Sequence, residues 1–90
     1  MTLQIERSSQ FKRDYKRVKR QGADLEKLLQ IIRQLAAGET LDPQQRDHVL
    51  QGNWRGYREC HIEPDWLLIY RIEEDTLRLS RTGSHSELFG

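Results

Sequence analysis

The apolar residues of this chain change their period between Gly52 and Gly56, and that change constrains its fold more than any other feature. Before it, Phe11, Tyr15 and Val18 recur at i, i+4 and i+7, and Leu25, Leu28, Leu29, Ile32, Leu35 and Ala36 keep to one helical stripe. After it the helical period is lost, and Tyr57 to Glu63, Trp66 to Ile72 and Thr76 to Thr82 read as three strands. The connectors between these strands are hairpin-sized. Glu63-Pro64-Asp65-Trp66 sets proline where a type I turn favours it, and Glu73-Glu74-Asp75 makes the second turn. Strands joined this tightly pair as an antiparallel meander.

Leu3 to Glu6, where Leu3 and Ile5 alternate with polar residues, adds a short strand ahead of the helices. Ser8 or Ser9 offers an N-cap to the first helix, Gly22 ends it, and Asp24 caps a second helix that runs to Gly38. The wider stripe of the second helix predicts the better burial. Glu39 to Asp47 is polar, contains Pro43 and reads as a connecting loop, and the chain from Ser84 reads as a short tail. The expectation is one α+β domain over residues 1–90, in the order β-α-α-β-β-β, with both helices on one face of the sheet. A chain of this length buries only roughly 60% of the surface its unfolded state exposes, so there is room for one core.

Cys60 is the only cysteine, so no internal disulfide is possible, and its expected role is a small buried hydrophobe. The first twenty residues are charged rather than apolar, against a secretory signal, and the apolar run Trp66-Leu67-Leu68-Ile69-Tyr70 is too short to span a bilayer. The cytoplasm is the expected location. Net charge is +1, yet Arg7 to Arg20 holds seven basic residues against one acid, Asp14. Lys12, Arg13 and Lys16 belong to this basic face. Its default reading is a solvated surface; its functional reading is a stripe that follows phosphates, since a local patch is felt within a Debye length of ~8–10 Å. The apolar stripe beneath it is too narrow for a membrane helix.

All three histidines, His48, His61 and His85, follow residue 47. Histidine titrates near ~6.5 and can give or take a proton at neutral pH. Metal-free RNA cleavage needs such groups: a base for the 2′-hydroxyl, an acid for the departing 5′-oxygen and a cation for the phosphate. On its strand His61 shares a face with Tyr57 and Glu59, while Cys60 and Ile62 take the apolar face. Cys60 and His61 therefore diverge, and no C-x-x-C or H-x-x-x-H spacing marks a metal site. Asp65 is ordinary turn chemistry or a carboxylate able to orient an imidazole. Arg81 shares parity with Leu77 and Leu79, so either the strand bulges there or the guanidinium meets an anion in a cleft. Gly83 permits a sharp turn that could swing His85 back beside Arg81. Phe89 pins the tail or offers a face to a base. Trp54 and Trp66 read as packing residues.

The stretch Leu50 to Tyr70, with its His61-Ile62-Glu63-Pro64-Asp65-Trp66 block, and the ending Arg81-Thr82-Gly83-Ser84-His85 to Gly90 resemble the YafQ branch of RelE-type bacterial toxins, in the RelE/ParE superfamily. The resemblance covers nearly the whole chain and implies the RelE-like fold. It also implies an mRNA interferase that cuts messenger RNA in the ribosomal decoding site, needs no small-molecule cofactor, and is silenced by a cognate antitoxin. Carried over by position, it implies active-site roles for His48, His61, Asp65, His85 and Phe89, and phosphate binding for Arg81. His85 then resembles the general acid, with His48, His61 and Asp65 as rival bases. Relatives tend to be basic; here contact with ribosomal RNA falls to Lys12, Arg13 and Lys16. ParE-like relatives on the same fold inhibit DNA gyrase and cleave nothing, and a catalytically silent, antitoxin-binding member is a third reading. The histidine set and the Arg81-Thr82-Gly83-Ser84-His85 ending argue against the gyrase inhibitor.

Overall fold

Capping residues fix where each helix begins. In the computed structural model, which describes residues 2–90, Ser8 is extended and its hydroxyl accepts the Phe11 N–H, opening α1 (Ser9–Arg20). The Asp24 carboxylate accepts the Glu26 N–H and opens α2 (Leu25–Ala36). Strand β1 (Gln4–Arg7) precedes them, and β3 (Arg58–Glu63), β4 (Trp66–Glu73) and β5 (Thr76–Gly83) form the expected meander.

Several short elements were not expected. The loop after α2 contains a turn of 3-10 helix at Pro43–Gln45 and then a two-residue strand, β2 (His48–Val49), antiparallel to β3. Two residues are too few for a periodicity to register. The tail is a short helix, α3 (His85–Phe89), closed by a capping box in which Ser84 and Glu87 each bond the other's backbone N–H. The sheet runs β1-β5-β4-β3-β2 with β1 parallel to β5, so it is mixed rather than a pure meander.

Both faces of this sheet are covered. On one, Phe11 and Val18 of α1 and Leu28, Ile31, Ile32 and Leu35 of α2 pack on Cys60, Leu68, Tyr70, Leu77 and Leu79. On the other, Leu67 and Ile69 pack with Leu88 of α3 and with Leu50, Trp54 and Tyr57. Burial on both faces explains why Trp66 to Tyr70 reads as an unbroken apolar run. Each fully buried leucine or isoleucine there contributes about 1.5–3 kcal/mol. Helix α2 buries five residues, all apolar, as its stripe predicts. Helix α1 buries three, and one of them is Asp14. Among the described residues no helix is long and apolar enough to cross a membrane.

Candidate active site

Strand geometry assembles the site. Glu59 and His61, two apart on β3, share the face of the sheet opposite α1 and α2, since His61 pairs with Leu67 and Glu59 with Ile69. Register places His48 of β2 opposite Glu59. Asp65 sits in the β3–β4 turn, and His85 is the first residue of α3. The ring centroids of His48 and His61 lie 6.4 Å apart, and those of His61 and His85 5.6 Å apart. All three histidines and Asp65 therefore converge.

The two outer histidines are tethered in different ways. His48 Nδ1 lies 2.6 Å from the Arg46 carbonyl, which can only accept, so Nδ1 holds the proton and Nε2 is the free nitrogen of the neutral ring. His85 Nδ1 lies 2.7 Å from Asp65 Oδ1, and the His85 backbone N–H donates to the same oxygen at 3.0 Å. These bonds from the His85 backbone and ring hold the Asp65 carboxyl below its ordinary range. The carboxylate thereby fixes the orientation of the His85 ring through Nδ1 and leaves Nε2 free. Between them His61 Nε2 lies 3.4 Å from Glu59 Oε1, and His48 Nε2 lies 3.7 Å from that oxygen.

Glu59 is buried, and sequence reasoning gave it no role although its position two before His61 put it on the same face. Also missed was the anchor of β2. The Asp47 carboxylate accepts the Tyr70 hydroxyl at 2.5 Å and Arg58 Nε at 3.2 Å, fixing the residue before His48. Nothing local in the sequence marks this set.

Arg81 meets both alternatives offered for it. Tyr70 pairs with Leu79 and Ile69 with Arg81, so Ser80 is an extra residue and β5 bulges there. The guanidinium finds its anion in Asp14 of α1, through Nε at 2.9 Å and Nη2 at 3.1 Å, which leaves Nη1 outside the pair. Asp14 also accepts from Arg17 Nη1 at 2.7 Å and from the Thr82 N–H at 3.2 Å. Burial pushes the Asp14 carboxyl up, but the bonds from Arg81, Arg17, Gln10 and Thr82 outweigh it and hold it below the usual range. Arg17 Nη2 further donates to the Thr82 carbonyl and its Nε pairs with Glu87, locking α3 to α1. Gly83 is needed in that lock. Its φ is +155°, and a Cβ there would lie 2.5 Å from Arg17 Nη2 and 2.9 Å from Glu87 Oε1.

Leu88, not Phe89, pins α3; Phe89 is 46% exposed. Lys12, Arg13 and Lys16 are exposed on α1, which covers the other face of the sheet, so the fold does not bring them to the histidines. Trp66 is buried, with Nε1 donating to Thr82 Oγ1 at 2.9 Å. Burial pushes the Cys60 thiol up to about 12. Spacing along the chain shows no metal motif, yet the fold brings ligand atoms of Glu59, His61 and His85 within 4.8 Å of one another, close enough to hold an ion.

Comparison with known proteins decides the family. The family described as bacterial toxin of type II toxin-antitoxin system, YafQ, matches residues 3–90. This chain belongs to the YafQ family. It is 42% identical over 87 residues to the mRNA interferase toxin YafQ of Escherichia coli K12, covering 96% of this chain and 95% of that protein. The Escherichia coli DinJ-YafQ toxin-antitoxin complex contains a chain that superposes with a TM-score of 0.92 at 41% identity, covering 100% of both chains. A copper-bound mutant toxin from Helicobacter pylori superposes with a TM-score of 0.93 at 44% identity, covering 97% of this chain and 99% of that one. The YafQ resemblance seen in the two sequence blocks thus extends through the whole fold.

Proposed function

We propose that this YafQ-family chain is an mRNA interferase that cleaves by histidine acid-base catalysis. One observation carries the reading: the outer histidines of the cluster are each held through Nδ1, His48 by a carbonyl and His85 by a carboxylate, which leaves Nε2 of each ring for the substrate. His48 Nε2 takes the proton of a 2′-hydroxyl, whose oxygen then bonds to the adjacent phosphorus. The bond from phosphorus to the 5′-oxygen breaks, and His85 gives that oxygen its Nε2 proton. The products are a 2′,3′-cyclic phosphate and a 5′-hydroxyl. Each positioned acid or base contributes about 10²–10⁴ in rate. Asp65, already bonded twice to His85, is thereby a positioning residue rather than the base. Glu59 offers charge to the proton gained at His48, and Arg81 Nη1 is the guanidinium nitrogen left for the phosphate. Phe89, exposed beside His85, offers a stacking face.

The setting is the cytoplasm, where the substrate is messenger RNA on the ribosome, and the partner is a cognate antitoxin, as DinJ is for YafQ in the Escherichia coli toxin-antitoxin complex. Induced expression with mapping of messenger 5′ ends tests this. Wild type is expected to generate new ends and arrest growth, and His85→Ala to do neither. Arrest that persists in the variant with no new ends in either strain would reject the nuclease.

A second reading concerns metal. Glu59, His61 and His85 offer two imidazoles and a carboxylate, a set suited to copper or zinc, and a Helicobacter pylori relative is copper-bound. An ion there would occupy His85, one of the two proton-transfer histidines, and inhibit. Micromolar copper should slow cleavage, a chelator should restore it, and Glu59→Gln should weaken the inhibition.

A further inference from the structure

Helix α3 carries His85 and Phe89, yet it has little of its own to hold it still. It spans five residues, and a helix so short does not persist without outside fastening. Leu88 is its single buried residue, and apolar packing on Leu67 and Ile69 fixes depth rather than direction. Asp65 bonds His85 from an exposed turn, so neither partner of that bond is anchored by burial. The direction of α3 has to come from elsewhere.

A relay of directed bonds supplies it from α1, across the sheet from the histidines. It starts at the fully buried Asp14, whose Oδ1 accepts from Arg17 Nη1 at 2.7 Å. Arg17 then reaches past the end of β5. Its Nη2 donates to the Thr82 carbonyl at 2.8 Å, and its Nε meets Glu87 Oε2 at 3.1 Å. Gln21, one turn further along α1, donates to the same carboxylate oxygen at 3.1 Å. Glu87 Oε1 accepts the Ser84 N–H at 2.9 Å, and Ser84 is the residue before His85. Bonds from the Ser84 N–H and Gln21, with the charge of Arg17, hold the Glu87 carboxyl below its ordinary range, so the relay is charged at neutral pH.

All three guanidinium nitrogens of Arg17 are thus engaged on different elements, α1, β5 and α3, a use of the planar fork that an ammonium cannot imitate. Asp14 also holds Arg81, so the phosphate cation and the proposed acid share one buried reference point.

We propose that Arg17 and Glu87 are positioning residues for RNA cleavage: touching no substrate, they aim α3 so that His85 Nε2 meets the leaving oxygen. The proposal rests on the nuclease reading above. Steady-state cleavage of ribosome-bound messenger RNA by the full chain tests it, with amide exchange alongside. Arg17→Met is expected to lower kcat about ten- to hundredfold with KM changed by about twofold or less, since misplacing a catalytic group by about 1 Å costs that much. Glu87→Gln should do the same, because its amide oxygen can keep the Ser84 bond while its amino group sets donors against Arg17 and Gln21. That change leaves the Asp14 cluster untouched and keeps the test decisive should Arg17→Met fail to fold. The double variant should stay within about threefold of the slower single, because both changes break one relay. Exchange at the Leu88 and Gly90 amides, which bond back within α3, should quicken in both variants while Leu68 in β4 stays protected. Loss of stability alone would lower the folded fraction and leave kcat of the folded protein where it was. Unchanged kcat in both variants, a rise in KM alone, or losses that multiply in the double variant would overturn the relay. If wild type cuts no message, the nuclease reading falls and the positioning role with it.

Discussion

In the proposed mechanism two imidazoles of the same chemistry take opposite tasks, each oriented by a single neighbouring oxygen. A carbonyl at 2.6 Å orients His48 through Nδ1, while a carboxylate at 2.7 Å orients His85 through the same atom. Asp65 is largely exposed, so its worth lies in orientation rather than in stability. Asp65→Asn keeps a similar shape but removes the charge. It should lower kcat for ribosomal cleavage roughly ten- to hundredfold with KM little changed, the signature of an interaction felt mainly in the transition state. A rise in KM at constant kcat would instead make Asp65 a substrate-binding residue.

Elements hold these residues through contacts remote in sequence. Asp14 ties α1 to β5 across 67 positions by its bonds to Arg81. Its carboxyl is held below the ordinary range in the folded state, so the stabilisation is present above the unfolded value, about 3.9, and is lost as pH falls through the lower folded value. Asp14→Asn should cost about 1–3 kcal/mol at pH 7, as removal of one partner from a buried charged set does where the guanidiniums keep some water. Urea unfolding between pH 7 and pH 3 should show that gap closing on acidification; a constant gap would contradict the ion-pair account. Strand β2 depends in the same way on Asp47 and the buried Tyr70 hydroxyl. Tyr70→Phe should leave the fold intact, cost about 1 kcal/mol, and slow cleavage severalfold, with faster amide exchange at His48 and Val49. Unchanged exchange there would show that β2 is held by other means.

Legibility in the sequence follows the range of the contact that fixes each feature. Helices α1 and α2 and strands β3 to β5 are set by local periodicity and caps, and they lie where the pattern puts them. The capping box of α3 was present as Ser84 and Glu87 but sits in a five-residue helix too short for periodicity. Arg81 was visible as an anomaly, yet its partner was not, because Asp14 looked like one acid on a basic helix. Glu59 was on the right face of β3, and only the β2 register gave it a neighbour in His48.

At the scale of the molecule, charge and chemistry occupy opposite faces. The exposed Lys12, Arg13 and Lys16 lie on α1, and the histidines lie across the sheet from it. A net charge of +1 gives little long-range pull, so in the proposed reading attraction to ribosomal RNA rests on that helix. Lys12→Gln with Lys16→Gln should weaken ribosome binding and flatten its salt dependence by a slope of about 1–2, one for each lost phosphate contact. An unchanged slope would assign the basic face to solvent alone.

The end groups of the cut RNA test the central claim most directly. Cleavage by His48 and His85 must leave a 2′,3′-cyclic phosphate and a 5′-hydroxyl. His48→Ala and His85→Ala should each reduce the yield of those ends at least about a hundredfold. Ends bearing a 5′-phosphate, or undiminished cutting by either variant, would contradict it.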